Sequence, residues 1–447
     1  MRPNWPGRRS GRHRRETMLA NRYRWRVASI MFCGSALGYI DRTAIGVLGP
    51  LIVKDLHLTA GQLGLALGAF SVGYTILCLI GGYISDRLFG PHRVLLYSML
   101  LWSLFCGLTA VSTGLVSLIV IRLLFGMGEG AWSPVLNKLV SRWFPRSEQA
   151  SAIGFANAGQ PLGAALCGPI VGMTASIYNW RTSFVVVALL GMIWTVAWKF
   201  FVSERPEDNP RVGYEERHLI QTKRQLDVSE SDSRQSLGKT LVSVRVLAIM
   251  LGCFSYMYMT FFILSWFPSY LVSARHLSVE HMAFVSALPW TVGFLGHSSG
   301  GFISDKIYRR TGDSVGARKW VMCTCTTLTA LCVMAGYYAT TVPAAVLLMS
   351  LGVFFLALTP HTFWALILDT TEAEKVGGVS GFILGLASTG AIFSPVMTGY
   401  LVETTASFVT AFILAGVVSL AGALIVFLFV RRRPDAPAGI ALPSVSR

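Results

Sequence analysis

Twelve apolar stretches run through this sequence between Trp25 and Val430, most of them close to the ~20 residues that a helix needs to cross a hydrocarbon layer. They lie at about 25–49, 63–84, 94–112, 115–138, 149–173, 182–202, 245–272, 283–305, 319–338, 343–368, 377–402 and 406–430. A backbone in lipid must satisfy its own N–H and C=O groups, so only helices and closed barrels span a membrane. Barrel strands are ~10 residues long and alternate strictly, and these runs do neither. Charged residues make up 13% of the chain and hydrophobic ones 53%, against about 25% charged in a soluble protein. The expected fold is an all-α membrane protein with twelve transmembrane helices in the lipid bilayer.

The net charge of +16 suits nucleic acid in its sum but not in its distribution. Basic residues gather at the N-terminus, at Arg87 and Arg93, at Lys138, Arg142 and Arg146, between Lys306 and Lys319, and at Arg431–Arg433. The loops at 111–117 and 339–343 carry no charge. This is the positive-inside alternation; it puts both termini in the cytoplasm and leaves nucleic acid no role as a partner. The longest polar stretch, 203–243, splits the spans six and six. The expected divisions are a basic tail (1–24), a six-helix half (25–202), a cytoplasmic linker (203–243), a second half (244–430) and a tail (431–447). Within the linker, "YEERHLI" can form a short surface helix. The first apolar run is too long for a cleavable signal peptide.

Eight cysteines are scattered, nearly all in apolar segments, and the close pair Cys323 and Cys325 lacks ligand partners at metal spacing. All eight read as buried thiols, without disulfide, metal or other cofactor. No nucleophile–base pair and no phosphate loop points to an enzyme.

The chain repeats itself. "GGYISDRLFGPHR" begins at Gly81 and "GGFISDKIYRR" at Gly300, each at the end of the second span of its half. A weaker echo joins 162–172 with 389–399. Two six-helix halves related by a pseudo-two-fold axis are a transporter architecture, with the substrate site near mid-membrane between them. Gly82 and Gly301 allow helices to approach closely. Asp86 with Arg87, and Asp305 with Lys306, can then latch the cytoplasmic side in one state. A monomer suffices for such a carrier.

Charge inside the spans is the second signal. Asp41 and Arg42 lie within the first apolar run, where each charge costs roughly 2.5–3.5 kcal/mol on insertion scales. Neighbours on a helix point ~100° apart, so the two cannot satisfy each other and need partners elsewhere. Arg122 and Glu129 are seven residues apart in span 4 and share a face. Gly126, Gly128 and Gly130 make that face slim. These four charges are either structural ion pairs or a functional cluster. Buried pairs are poor stabilisers, which favours function. In that reading Arg42 and Arg122 hold a carboxylate with their planar forks. Asp41 and Glu129 carry the coupling protons and, when ionised, compete for the arginines.

The Gly-x-x-x-Asp-Arg/Lys loops resemble the signature of the major facilitator superfamily. "GYIDRTAIGVLGPLI", "IRLLFGMGEGAWSPVLNKLVSRWFP", "GFANAGQPLGAALCGP", "FFILSWFPSYLVSARHLS" and "NPRVGYEERHLI" are similar to its anion:cation symporter branch, which holds bacterial sugar-acid transporters, sialin and the vesicular glutamate transporters. The likeness runs from about Arg22 to Arg433. It implies the twelve-helix fold, alternating access in a bacterial inner membrane, and proton-coupled transport of a small organic anion. It also implies proton carriage at Asp41 and Glu129 and substrate contacts at Arg42 and Arg122. Tyr74, Gln160 and Trp364 match binding positions; Tyr39, Asn157 and His361 stand as either binding or packing groups. The branch often has an Asn where this chain has Ser388, and an Asn and a Tyr where it has Tyr258 and Met259. Fewer amide donors leave two substrates open, a polyhydroxy acid or a plainer or aromatic carboxylate, and an uncoupled uniporter stands as a further alternative.

Overall fold

The computed structural model describes residues 23–225, 240–371 and 375–430. The basic leader, residues 226–239 of the linker and the C-terminal tail lie outside the described residues. Helices account for all the regular structure described.

Ten helices are long and apolar enough to cross a membrane: spans 1 (Tyr23–Asp55), 2 (Ala60–Ile84), 3 (Pro91–Val111), 4 (Leu115–Trp143), 6 (Trp180–Phe201), 7 (Val244–Ser273), 9 (Ser314–Tyr338), 10 (Val342–Thr370), 11 (Gly378–Thr405) and 12 (Val409–Phe429). The other two expected spans are present in less regular form. Span 5 is built from Arg146–Asn157, Gly159–Cys167, a π turn at Gly168–Gly172, and Met173–Ile177. Pro161 and Pro169 remove backbone donors along it, which favours such irregularity. Span 8 joins Val279–Val285 to Ala287–Thr311; His297, two serines and the Asp305-Lys306 pair dilute its hydropathy.

Local chemistry sets the ends. Thr59 and Gln62 form a capping box at the start of span 2. Asn179, Ser243, Asp313 and Thr341 cap spans 6, 7, 9 and 10 through their side chains. Each such cap satisfies a backbone N–H that the helix leaves orphaned. Gly312, at φ 69°, turns the chain out of span 8 in the left-handed region where glycine is favoured.

The linker helix is Tyr214–Gln225 and docks on the first half. Glu216 accepts from Tyr23 N at 3.0 Å and from Arg24 Nη1 at 2.8 Å, and Arg24 Nε reaches Glu148 at 3.0 Å. This carboxylate therefore caps the first turn of span 1. All eight cysteines are free, but burial is not uniform: Cys33 is exposed, and Cys78 and Cys332 are half-buried. Cys33 belongs to an exposed stripe with Arg26 and Ser29, on the part of span 1 nearest the termini.

The halves meet at the end away from the termini. A Cβ at Gly46 would lie 2.7 Å from the Leu264 carbonyl oxygen, and one at Gly64 2.6 Å from that of Pro395. Only glycine allows backbones this close. Gly168 meets the Ala283 carbonyl in the same way. Three seams thus close that end: span 1 with 7, span 2 with 11, and span 5 with 8. Towards the termini, Gly82, Gly154, Gly301 and Gly381 have nothing within 4 Å of where a Cβ would stand. The close backbone seams between the halves therefore lie at the end away from the termini.

Candidate transport site

Span 1 brings Asp41 and Arg42 to its most enclosed segment, where every residue from 40 to 49 is buried. The two side chains diverge, as neighbours on a helix must. Arg42 Nη2 donates to Glu129 Oε1 on span 4 at 2.5 Å, with both side chains under a tenth exposed. Glycine makes this reach possible: a Cβ at Gly126 would stand 2.0 Å from the Phe70 carbonyl oxygen, so span 4 lies directly against span 2.

Aromatic rings surround the Arg42 guanidinium. Its carbon lies 4.7 Å from the Tyr74 ring centre, 4.9 Å from Tyr39, 5.1 Å from Phe70 and 5.7 Å from Phe261. Phe261 belongs to span 7, so the second half also touches this cation. Arg122 sits 5.1 Å from the same Phe70 ring and 4.9 Å from Phe125. Faces of aromatic rings hold a cation by their quadrupole without consuming its N–H donors. Nε of both arginines and Oε2 of Glu129 are buried without a hydrogen-bond partner among the described residues. Such groups are costly unless something else bonds them.

Asp41 takes a different partner. It is 1% exposed and its Oδ1 accepts from Cys106 Sγ on span 3 at 3.5 Å. Among the described residues no basic group comes within ion-pair distance of it. The cluster is therefore an ion pair (Arg42–Glu129), a cation packed between rings (Arg122), and a carboxyl beside a thiol (Asp41).

Of the other candidates, Tyr39 and Tyr74 reach this cluster through their rings. Tyr74 is the link: its ring faces Arg42 and its hydroxyl lies 3.3 Å from Ser133 Oγ. Gln160 donates to Asn157 at 3.4 Å, both half-buried on span 5. Ser388 donates to the Leu384 carbonyl of its own helix at 2.7 Å. His361 Nε2 is 2.8 Å from the His297 carbonyl oxygen, and the two rings are 4.6 Å apart, tying span 10 to span 8. Trp364 is 44% exposed, one turn further along span 10. Arg87 and Lys306 are exposed beside Gly82 and Gly301. The side chains of Asp86 and Asp305 lie outside the described residues.

Sequence reasoning missed Phe70, Phe261, Cys106 and Trp102. Phe70 carried a signal, being one turn from Tyr74 on the same helix. Phe261 and Cys106 carried none, since an aromatic residue or a thiol in an apolar span reads as ordinary packing. Trp102 begins a ring series through Trp132 and Trp194 to Trp198, at 5.1, 5.4 and 4.8 Å, that braces spans 3, 4 and 6 around the cluster.

The two pseudo-repeated halves, the glycine seams between them and the intramembrane ion pair define a multi-pass membrane transporter rather than an enzyme. The chain belongs to the Major Facilitator Superfamily, which it matches over residues 31–312 and 309–444. It is 42% identical to the hexuronate transporter of Bacillus subtilis (strain 168) over 418 residues, covering 92% of this chain and 96% of that protein. A probable sulfoacetate transporter of Cupriavidus necator is 32% identical, over 87% of this chain and 89% of that one. In three dimensions the fold resembles a D-xylose–proton symporter, with a TM-score of 0.71 at 16% identity, over 92% of this chain and 98% of that structure.

Proposed function

We propose that this protein moves a hexuronate, or a closely similar sugar acid, across a bacterial plasma membrane by proton symport and alternating access. The observation that carries the reading is the Arg42–Glu129 pair: a carboxylate already occupies the donor that a substrate carboxylate needs, at 2.5 Å. Glu129 and the substrate are thus competitors for one guanidinium. Protonation of Glu129 weakens its hold, because a neutral acid lacks the charge that makes such a bond strong. A sugar carboxylate then takes the fork of Arg42, and Arg122 offers a second cation nearby. Loaded in this way, the carrier changes the side its site faces with substrate and proton aboard together, and no charge is stranded in the low-dielectric interior.

The hexuronate assignment rests on the similarity to the B. subtilis transporter across nearly the full length of both chains. The Tyr39, Tyr74 and Phe261 rings support it, since flat aromatic faces suit the apolar face of a sugar ring. With both termini in the cytoplasm, as the basic loops imply, the close seams between the halves lie on the outer side. A less hydroxylated anion is the second reading, favoured by the sparse amide donors and by the sulfoacetate relative.

Uptake into proteoliposomes separates the two. Labelled D-glucuronate should accumulate when the outside is acidic and stop when a protonophore collapses the gradient. Competition by sulfoacetate but not by galacturonate would overturn the hexuronate reading. Accumulation that ignores the protonophore would overturn symport.

A further inference from the structure

Asp41 is buried as deeply as any residue of the ion pair, yet it has no cation. What it has is a face of span 3. Cys106 Sγ donates to its Oδ1 at 3.5 Å. Trp102 stands one turn before Cys106, is fully buried, and has an indole N–H beside the same carboxyl that meets hydrogen-bond geometry with no group among the described residues. A Cβ at Gly128 would lie 2.8 Å from the Trp102 backbone nitrogen, so span 4 packs directly against span 3 at this residue. The groups facing Asp41 are therefore Cys106 and Trp102 from span 3, Cys167 from span 5, and Glu129 and Arg122 at longer range from span 4. Its chain neighbour Arg42 is turned away to Glu129.

Neutral donors do something a cation cannot. An adjacent guanidinium favours the ionised carboxyl, so that a proton has to compete with the cation, as it does at Glu129. Bare hydrocarbon would hold it protonated throughout. A thiol donates one modest hydrogen bond to the ionised form, an unpartnered indole N–H beside it is free to add a second, and both tolerate the neutral form, so both states are accessible within one fixed geometry. We propose that Cys106, with Trp102, is a positioning residue for proton coupling: span 3 forms a neutral-donor seat in which Asp41 can load and release its proton during transport. The inference rests on the symport reading above. It also gives span 3, which supplies none of the groups described around the Arg42 guanidinium, a part in coupling.

The test is the pH profile of D-glucuronate uptake by the full-length protein in proteoliposomes, for the native chain, Cys106→Ala, Cys106→Ser, Trp102→Phe and Asp41→Asn. Loss of the thiol donor removes support for the ionised carboxyl, so the midpoint for Cys106→Ala should move upward by roughly half a pH unit to one unit. Cys106→Ser restores a donor and should return the midpoint to the native position or below it. Trp102→Phe should move it in the same direction as Cys106→Ala. If Cys106→Ala destabilises the protein, Cys106→Val keeps the volume and takes its place. A Cys106→Ala or Cys106→Val profile that superimposes on the native one, or a serine variant that behaves like alanine, overturns the seat. Asp41→Asn keeps the two readings apart. Gradient-driven accumulation by that variant would overturn proton carriage at Asp41 and the seat together. Its loss alongside an unmoved Cys106→Ala profile would overturn the seat alone.

Discussion

Glu403 on span 11 closes directly onto Thr59 at the head of span 2: Oε2 accepts from Thr59 Oγ1 at 2.9 Å and from Gly61 N in the same first turn, also at 2.9 Å. The contact joins the two halves at the end away from the termini. A carboxylate at a helix N-terminus is stabilised by the unpaired N–H groups and the helix dipole. In the alternating-access reading proposed above, this bond would break when that end opens.

Glu403→Gln should therefore shift the carrier towards the state open at that end. An exposed dipole contact contributes about 0.3–1 kcal/mol, so the population ratio should change roughly two- to fivefold. Maleimide labelling of a cysteine placed at Ser269, in the neighbouring seam, reads this out. Labelling rates unchanged by the substitution would mean that Glu403 is an ordinary surface acid.

Arg42→Lys keeps the charge and loses the fork. Lysine cannot present two parallel N–H donors, and its compact ammonium fits a ring cage built around a planar group less well. Loss of a charged bidentate bond costs about 1.5–3 kcal/mol, so KM for D-glucuronate should rise roughly ten- to a hundredfold. Arg122→Ala should also weaken binding, measured as loss of substrate-induced thermal stabilisation. Full retention of that stabilisation in both variants would place the anion elsewhere.

Glu129→Gln removes the competitor for Arg42. Substrate binding to the purified variant should become nearly independent of pH, while the native protein binds better as pH falls. Accumulation driven by a proton gradient should fail in the variant, and substrate exchange should persist. Isothermal titration across pH 5–8, beside counterflow in vesicles, checks both statements. A native-like pH dependence in Glu129→Gln would exclude this carboxylate as the competitor.

Gly126→Ala should be destabilising although it adds one methyl group. The new Cβ would fall 2.0 Å from the Phe70 carbonyl oxygen, a backbone atom that cannot swing aside. Overpacking of this kind costs about 1–3 kcal/mol and should lower the melting temperature of the detergent-solubilised protein by several degrees. Gly82→Ala meets open space in this state and should melt close to the native protein.

Much of this protein is legible from its residues alone. Helix length and apolarity are local properties, and hydrocarbon leaves the backbone so few options that twelve runs near 20 residues yield twelve helices. The paired Gly-Asp-Arg/Lys loops and the intramembrane charges are just as local: the halves repeat because the residues do, and a charge in an apolar run needs a reason wherever its helix turns. Partners are another matter. Asp41 and Arg42 are adjacent in the chain, yet one meets a thiol on span 3 and the other a carboxylate on span 4. Which of them finds the cation or the acid depends on how far each helix rotates and how closely it approaches its neighbour. Those quantities are set by glycines such as Gly126 pressed against a backbone 56 positions away in sequence, from Phe70 to Gly126. How the halves meet is decided the same way, because the seams at Gly46, Gly64 and Gly168 each join two spans from opposite halves. Residues identify what must be buried; only the packing of twelve helices decides what it is buried against.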